Sequence, residues 1–420
     1  MNSILIKNVK HFATGETVDF ALENGVIVSS LSGQPDKVID AEGLTLFPGL
    51  VDMHCHLREP GFEYREDIAT GTRSAAKGGF SSVCCMPNTK PVCDNAAVVE
   101  GILRRAELVG SCNVFPIGAA SKGLEGKELA EIGLMKEAGI VAVSDDGKPI
   151  ATANLLKKVL EYASDFDIPV LNHCEEMSIS EGAMNDGEVA TSLGLRGIPA
   201  IAEEIMISRD ILTAEYLDMP IHICHVSTRR GIDIIRQAKK RGVKVTCETC
   251  PHYFSLTENA CENYDTNFKM NPPLRTEDDR QAVIEGLKDG TIDCIVTDHA
   301  PHHTDEKDIE FSLANNGIIG FETAFGVSYT YLVKPGYLTL TEMIEKMTIN
   351  PSHILRLGRG TLDIGMPADI MLADLSEEYV YTEEEILSKA KNSPYIGTDL
   401  QGRVKLTVTG GKITYDELRG

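Results

Sequence analysis

The segment 46–56, LFPGLVDMHCH, reads as an apolar strand that closes on a His-x-His pair. Side chains two apart along a strand point to the same side. His54 and His56 therefore share a face, and Cys55 points the other way. Such a pair at a strand end suits one metal ion, but it is equally compatible with two packed core histidines. The rest of the chain decides between them. Seven further strand candidates lie at 82–86, 113–118, 140–144, 169–173, 220–226, 244–247 and 294–298. Helix-like segments at 66–77, 96–109, 128–138, 152–164, 200–216, 230–241, 278–288 and 322–333 come after most of them. Eight alternating strand–helix units predict an α/β chain closed into a TIM-type (β/α)8 barrel.

Both ends of the chain have a different texture. Short strands are expected at 4–9, 17–22, 26–30 and 38–40, with Asn24-Gly25 as a hairpin turn, and again at 369–373 and 404–409, with a Gly410-Gly411 turn after them. The two ends are expected to form one small β-sandwich domain. The division is 1–47 and 358–420 for that domain and 48–357 for the barrel. A length of 420 residues accommodates this, since a barrel takes about 250 residues on its own.

Composition excludes several classes of function. Lys and Arg number 40 against 63 Asp and Glu, a net charge of −23, which leaves no electrostatic footprint for nucleic acid or an anionic membrane. A small anionic substrate is still permitted, because a local cationic pocket outweighs a distant field. Residues 1–10 contain no long apolar run and no cleavage-site pattern, and no stretch approaches the roughly 18 residues of a membrane span. The 11 cysteines are expected to be free thiols in a reducing cytoplasm. Cys247-x-x-Cys250 has no second pair and is read as core packing.

Further polar residues end the other strands. Strand four ends in Asp145-Asp146, strand five in His173, strand six in His225 and strand eight in Asp298. Catalytic groups of barrel enzymes stand at these C-terminal strand ends. Four histidines and two aspartates converging there are too many polar groups for an unoccupied core. Nitrogen and carboxylate donors without thiolate suit catalytic zinc. Six of them fit two ions about 3.5–4 Å apart with one shared carboxylate. His11, His222 and His353 are expected to be ordinary surface or packing residues, whereas His252, His299 and His303 lie near the mouth and are candidates to orient ligands. Cys55, Cys174 and Cys224 each adjoin a ligand histidine, so strand alternation is expected to turn them away from the metals.

The stretch beginning FPGLVDMHCHLREPG, continued by PNT, SDDGKP, NHCEE, CHVST, NPPLR, TDHAPH and GFETA, resembles the amidohydrolase superfamily, and within it the long-type (class I) bacterial dihydroorotases. GMPADIML matches the superfamily's return to its small β domain. The resemblance implies reversible cyclisation of N-carbamoyl-L-aspartate to L-dihydroorotate plus water in pyrimidine (UMP) biosynthesis, with a hydroxide held between two zinc ions as nucleophile. It implies that His54 and His56 hold one ion and His173 and His225 the other, that Asp146 rather than Asp145 bridges, and that Asp298 is both ligand and general acid/base. It places His56, Arg58, Asn88, Asn271, His302 and the Asn316-Gly317 main chain at the substrate. Asn316 stands where relatives often carry an apolar residue. It also implies a cytoplasmic homodimer able to associate with aspartate transcarbamoylase.

Two competing readings remain at this point. A hydantoinase- or allantoinase-like cyclic amide hydrolase would keep the metals but lack the Arg58–Asn88 pair. Those relatives, like the short-type dihydroorotases, resemble one another in bridging with a carboxylated lysine, and Lys148 here lies beyond the strand end. A non-catalytic, dihydroorotase-like subunit of aspartate transcarbamoylase would be expected to have lost ligands, and all six are present.

Overall fold

The structure, a computed structural model, describes residues 3–418. Met1 and Asn2, on which the reading of residues 1–10 partly rests, lie outside the described residues, as do the last two.

All eight barrel strands form: Leu50–Cys55, Phe80–Cys85, Asn113–Ala119, Ala142–Ser144, Leu171–Asn172, Ile221–Ile223, Val245–Thr249 and Cys294–Ile295. They pair in parallel as two four-stranded sheets. Two isolated parallel bridges, Val143 to Val170 and Cys55 to His299, join the sheets edge to edge and close the barrel. Five of the helices between strands carry side-chain N-caps. Asp67, Asn95, Thr152, Thr228 and Thr276 each accept a main-chain N–H from the first turn of the adjoining helix. Their buried faces and the strands share one continuous hydrophobic core. The segment 322–333 is not uniform: an α-helix over Phe321–Ser328 loosens into a π-helical turn over Tyr329–Val333.

The candidate strand 46–56 is two strands. Thr45–Pro48 pairs with Lys10–His11 and with Ile370–Ala373, so it belongs to the terminal sheet, and Leu50–Cys55 starts the barrel. Gly49 is the crossing point. A Cβ there would overlap the Ser81 side chain, so only glycine lets the chain pass between the two units.

The terminal unit is an eight-stranded sheet drawn from both chain ends, and its central strands Ser3–His11 and Thr45–Pro48 link the two ends. Side chains from strands far apart in that sheet, Ile6, Leu22, Ile27, Leu372 and Val408, meet in one separate core. The sheet therefore folds over on itself as a small β-sandwich. Its C-terminal strands, Ile370–Val380 and Asp399–Thr409, run longer than the apolar patches alone suggest, and Lys412–Asp416 adds an edge strand. The second half of Ile370–Val380 is polar and part-exposed, whereas Asp399–Thr409 alternates buried with part-buried residues along its first half. Among the described residues no helix is long and apolar enough to cross a membrane.

Candidate active site

The barrel strands end at one mouth, and there the structure brings together His54, His56, Asp146, His173, His225 and Asp298. Asp146 sits at the centre. Its Oδ1 lies 3.4 Å from His54 Nε2, 3.4 Å from His225 Nε2 and 3.8 Å from His173 Nδ1, and its Oδ2 lies 3.5 Å from His56 Nε2. Asp298 is engaged differently. Both its histidine contacts, to His56 at 3.1 Å and His54 at 3.6 Å, run through Oδ1. The neighbouring Asp145 faces away, accepting main-chain N–H groups of Ala120 and Ser121 and the Ser121 hydroxyl. Strand alternation thus separates the two adjacent aspartates, which the sequence alone leaves undistinguished. Lys148 reaches the Leu124 carbonyl instead of the cluster.

The cluster has the electrostatic signature of a cation site. Burial disfavours charge on Asp146 and on His54, yet each favours it in the other. Against its own burial, Asp146 is held well below the usual carboxylate range by His54, His225 and His56. Despite burial, Asp146 and Glu248 hold His54 well above the ordinary imidazole value. His54 Nε2 and Asp146 Oδ1 are nonetheless buried without a hydrogen-bond partner among the described residues. Such orphaned atoms are costly unless a ligand satisfies them. His54, Asp146 and His225 bring donor atoms within 4.8 Å of one another, and so do His54, His56 and Asp298. Imidazole nitrogens and carboxylate oxygens in this arrangement fit a catalytic metal ion of the zinc type.

A cavity of about 190 Å³ opens over the cluster. It is lined by His56, Arg58, Asn88, Asp146, His173, His225, Asn271, Asp298, His302, Asn316 and Gly317, leaving His54 as the one expected site residue hidden beneath it. Arg58 is 7% exposed, donates from Nε to the Pro301 carbonyl (3.1 Å) and has Nη2 3.3 Å from His302 Nε2. Burial lowers its pKa to about 10, so it is cationic at neutral pH. It does not reach the mouth by continued strand alternation. The strand ends at Cys55, and Arg58 has a left-handed backbone with φ 65°. His225 and Asp298 share that feature, with φ 32° and 47°. Non-glycine residues rarely adopt such angles, and they concentrate at functional sites.

The turn at His225 overturns one expectation. Cys224 is not directed away from the site; its thiol lies beside His54 and Glu248. Cys224 keeps the face of His222, which also meets Glu248, and it is His225, with its left-handed backbone, that departs from alternation. Burial and Glu248 hold Cys224 far above the usual thiol value, so it stays a neutral thiol. Cys174 does turn away, toward Asp210, and Cys55 donates to the Cys84 carbonyl.

His222 is likewise no ordinary packing residue. Its Nε2 is 3.1 Å from Glu248 Oε2, and the other oxygen of Glu248 is 2.5 Å from His54 Nδ1. Glu248 lay one residue past the expected strand seven, 244–247, and sequence reasoning missed it. Glu175 was missed too. Its Oε2 lies 2.9 Å from His173 Nε2 and accepts from Asn271 Nδ2 at 3.0 Å. Despite burial, His173 draws the Glu175 pKa down to about 2. The signal for Glu175 was a carboxylate two residues beyond a strand-end histidine; for Glu248 it was a carboxylate directly after the last residue of an expected barrel strand.

The remaining candidates divide. Asn88 Oδ1 meets His56 Nδ1 at 2.9 Å and so orients that ring. His302 Nε2 is 2.8 Å from the Asn316 carbonyl. Gly317 has φ 133°, and a Cβ there would lie 2.7 Å from Ala300 Cβ. Its N–H donates to the Lys269 carbonyl, and its carbonyl accepts from Lys307 Nζ. His252 is buried near Asp298, its Nε2 without a hydrogen-bond partner among the described residues, and burial lowers its pKa to about 4. His299 lies deeper, stacked on Phe321. His303 is exposed and caps a short helix at Thr304–Lys307, so it orients nothing at the mouth.

Comparison with known proteins bears on the chemistry of this mouth. A family profile described as "Dihydro-orotase-like" matches residues 43–231. The curated "Dihydroorotase" of Acetivibrio thermocellus is 56% identical over 408 residues, 96% of each chain. That of Ruminiclostridium cellulolyticum is 56% identical over 416 residues, 97% of each. Among solved structures, an L-hydantoinase (dihydropyrimidinase) from Arthrobacter aurescens superposes with a TM-score of 0.88 at 24% identity, covering 99% of this chain and 97% of that one. A dihydropyrimidinase from Brevibacillus agri gives 0.84 at 22%, covering 99% and 95%. Likeness at that identity speaks to the fold, a barrel carrying a β-sandwich.

Proposed function

The chain belongs to the dihydroorotase family, and on that premise we propose that its mouth residues catalyse the reversible ring closure of N-carbamoyl-L-aspartate to L-dihydroorotate. The observation that carries the residue assignment is the buried Arg58 guanidinium sharing one cavity with the Asp146–Asp298–histidine cluster. Cyclic amide chemistry needs the cluster, and a substrate bearing an α-carboxylate needs the cation. A hydantoin ring carries no such carboxylate, so the geometry favours dihydroorotate over the hydantoinase reading. The intact ligand set likewise favours an enzyme over a scaffold subunit.

Two zinc ions are the cofactors this set would hold, one at His54, His56 and Asp298, the other at His173 and His225, with Asp146 shared. Bound zinc would lower the pKa of water and polarise the amide carbonyl. Arg58 holds the α-carboxylate through its planar fork, aided by the Asn88 and Asn271 amides and His302, and burial of the guanidinium strengthens that contact. Asp298 is the proton carrier. Its histidine contacts use Oδ1 alone, which leaves Oδ2 for the reaction. Asp146 has contacts on both oxygens and is the poorer base. In ring opening, water adds to the ring amide carbonyl, the carbon–nitrogen bond breaks, and Asp298 passes the water proton to the departing nitrogen. Ring closure runs the same path backwards: the ureido nitrogen attacks the side-chain carboxyl carbon and surrenders its proton to Asp298, and water leaves.

The assignment extends to the setting. All 11 cysteines are buried free thiols, which supports a reducing cytoplasm. A homodimer, with association with aspartate transcarbamoylase, completes the proposal. The test is ultraviolet-monitored turnover of L-dihydroorotate by the purified chain, beside hydantoin and allantoin. Faster hydrolysis of hydantoin than of dihydroorotate would reverse the substrate assignment.

A further inference from the structure

We propose that Glu248, backed by His222, is a positioning residue that fixes which ring nitrogen of His54 is presented to a metal ion. The inference rests on reading His54 as a ligand. Glu248 stands on the barrel strand Val245–Thr249 with its side chain fully buried beneath the mouth. Its Oε1 meets His54 Nδ1 at 2.5 Å and its Oε2 meets His222 Nε2 at 3.1 Å. His222 Nδ1 is in turn 2.8 Å from Thr246 Oγ1.

With a metal ion at His54 Nε2, hydrogen-bond direction assigns the protons of this relay. A carboxylate flanked by two imidazoles accepts from both, so His54 carries its proton on Nδ1 and His222 on Nε2. His222 Nδ1 is then an acceptor, which the Thr246 hydroxyl satisfies. His54 Nε2 is then the nitrogen that would give its lone pair to a metal ion, in place of the proton that Asp146 otherwise favours. That nitrogen faces Asp146 at 3.4 Å and finds no hydrogen-bond partner among the described residues. Burying a carboxylate at a barrel floor is costly. Here it has a definite consequence: the ring is locked in orientation and tautomer with its ligating atom aimed at the cluster. A carboxylate on the far nitrogen also makes a ligating imidazole more basic. The second ion has a separate support, since His173 is held by Glu175, so the two ions can be perturbed independently.

The experiment is zinc competition against a chromophoric chelator, on chain stripped and refilled, comparing wild type with Glu248→Gln and Thr246→Val. The amide of Glu248→Gln keeps the shape but offers one acceptor where two N–H groups need one each. Zinc affinity at one of the two sites should fall about 10–100-fold, with the other site unchanged. Thr246→Val, at the far end of the relay, should leave both affinities as in wild type. Unchanged affinities in Glu248→Gln, or equal weakening at both sites, overturn the inference. A wild type that binds no zinc instead overturns the metal reading on which it stands. Should Glu248→Gln fail to fold, long-range proton–nitrogen spectra of the zinc-loaded, histidine-labelled wild type decide. His54 ligated through Nε2 with a protonated Nδ1 supports the assignment, and ligation through Nδ1 refutes it.

Discussion

Replacing Arg58 tests the substrate assignment most directly. The guanidinium already spends Nε on the Pro301 carbonyl and holds Nη2 against His302, so its position is set before substrate arrives. A preset, desolvated cation loses little freedom on meeting a carboxylate. Removing one member of such a buried pair costs about 2–5 kcal/mol, roughly 30- to 5,000-fold in kcat/KM for dihydroorotate. Arg58→Met keeps most of the length and apolar stem and should show the full loss. Arg58→Lys should recover little of it, because an ammonium reproduces neither the fork nor the Pro301 contact. Steady-state turnover in both directions, with zinc content and melting temperature measured alongside, makes the assay specific. Zinc should be retained, since the hydrogen bonds of Arg58 go to Pro301 and His302 and not to the six cluster side chains. Turnover by Arg58→Met within a few-fold of wild type would refute the assignment, and so would a loss traced wholly to missing zinc.

Three further outcomes are expected. Asp298→Asn should lower turnover at least about 100-fold in both directions while keeping most of its metal, whereas Asp146→Ala should lose metal; near-normal turnover by Asp298→Asn would exclude it as proton carrier. Gly317→Ala should lower stability by about 1–3 kcal/mol and impair substrate binding more than an exposed substitution does, because φ 133° is strained for alanine and its Cβ meets Ala300 and approaches His302 Nε2 to 3.1 Å; wild-type KM and melting temperature together would contradict this. Chelation should abolish turnover and lower the melting temperature, with zinc restoring both, since an ion bound only by the folded chain stabilises it; full activity in thoroughly stripped protein would rule out metal dependence.

The sequence by itself determined the barrel, because eight apolar runs alternating with amphipathic helices leave few other ways to bury both faces of a parallel sheet. It also determined which polar residues meet at the mouth. Each ends a strand, and a closed barrel delivers all strand ends to one place. The crossing at Gly49 was not legible, since Thr45–Pro48 and Leu50–Cys55 are equally apolar and only their partners differ. Side-chain direction beyond the strand ends was not legible either. Past the ladders, single left-handed residues at Arg58, His225 and Asp298 break the alternation and redirect the chain. Cys224 follows His222 inward toward Glu248, and the left-handed His225 joins the cluster as well, against the expectation that the two neighbours point apart. Tertiary structure alone also decided the pairing of His54 with Glu248 and of His173 with Glu175. These partners are 194 and 2 residues apart in the chain, and a carboxylate's role depends on which imidazole nitrogen it meets. Residue type and spacing specify where chemistry gathers; contacts between strands distant in sequence specify which atom of each residue is free to perform it.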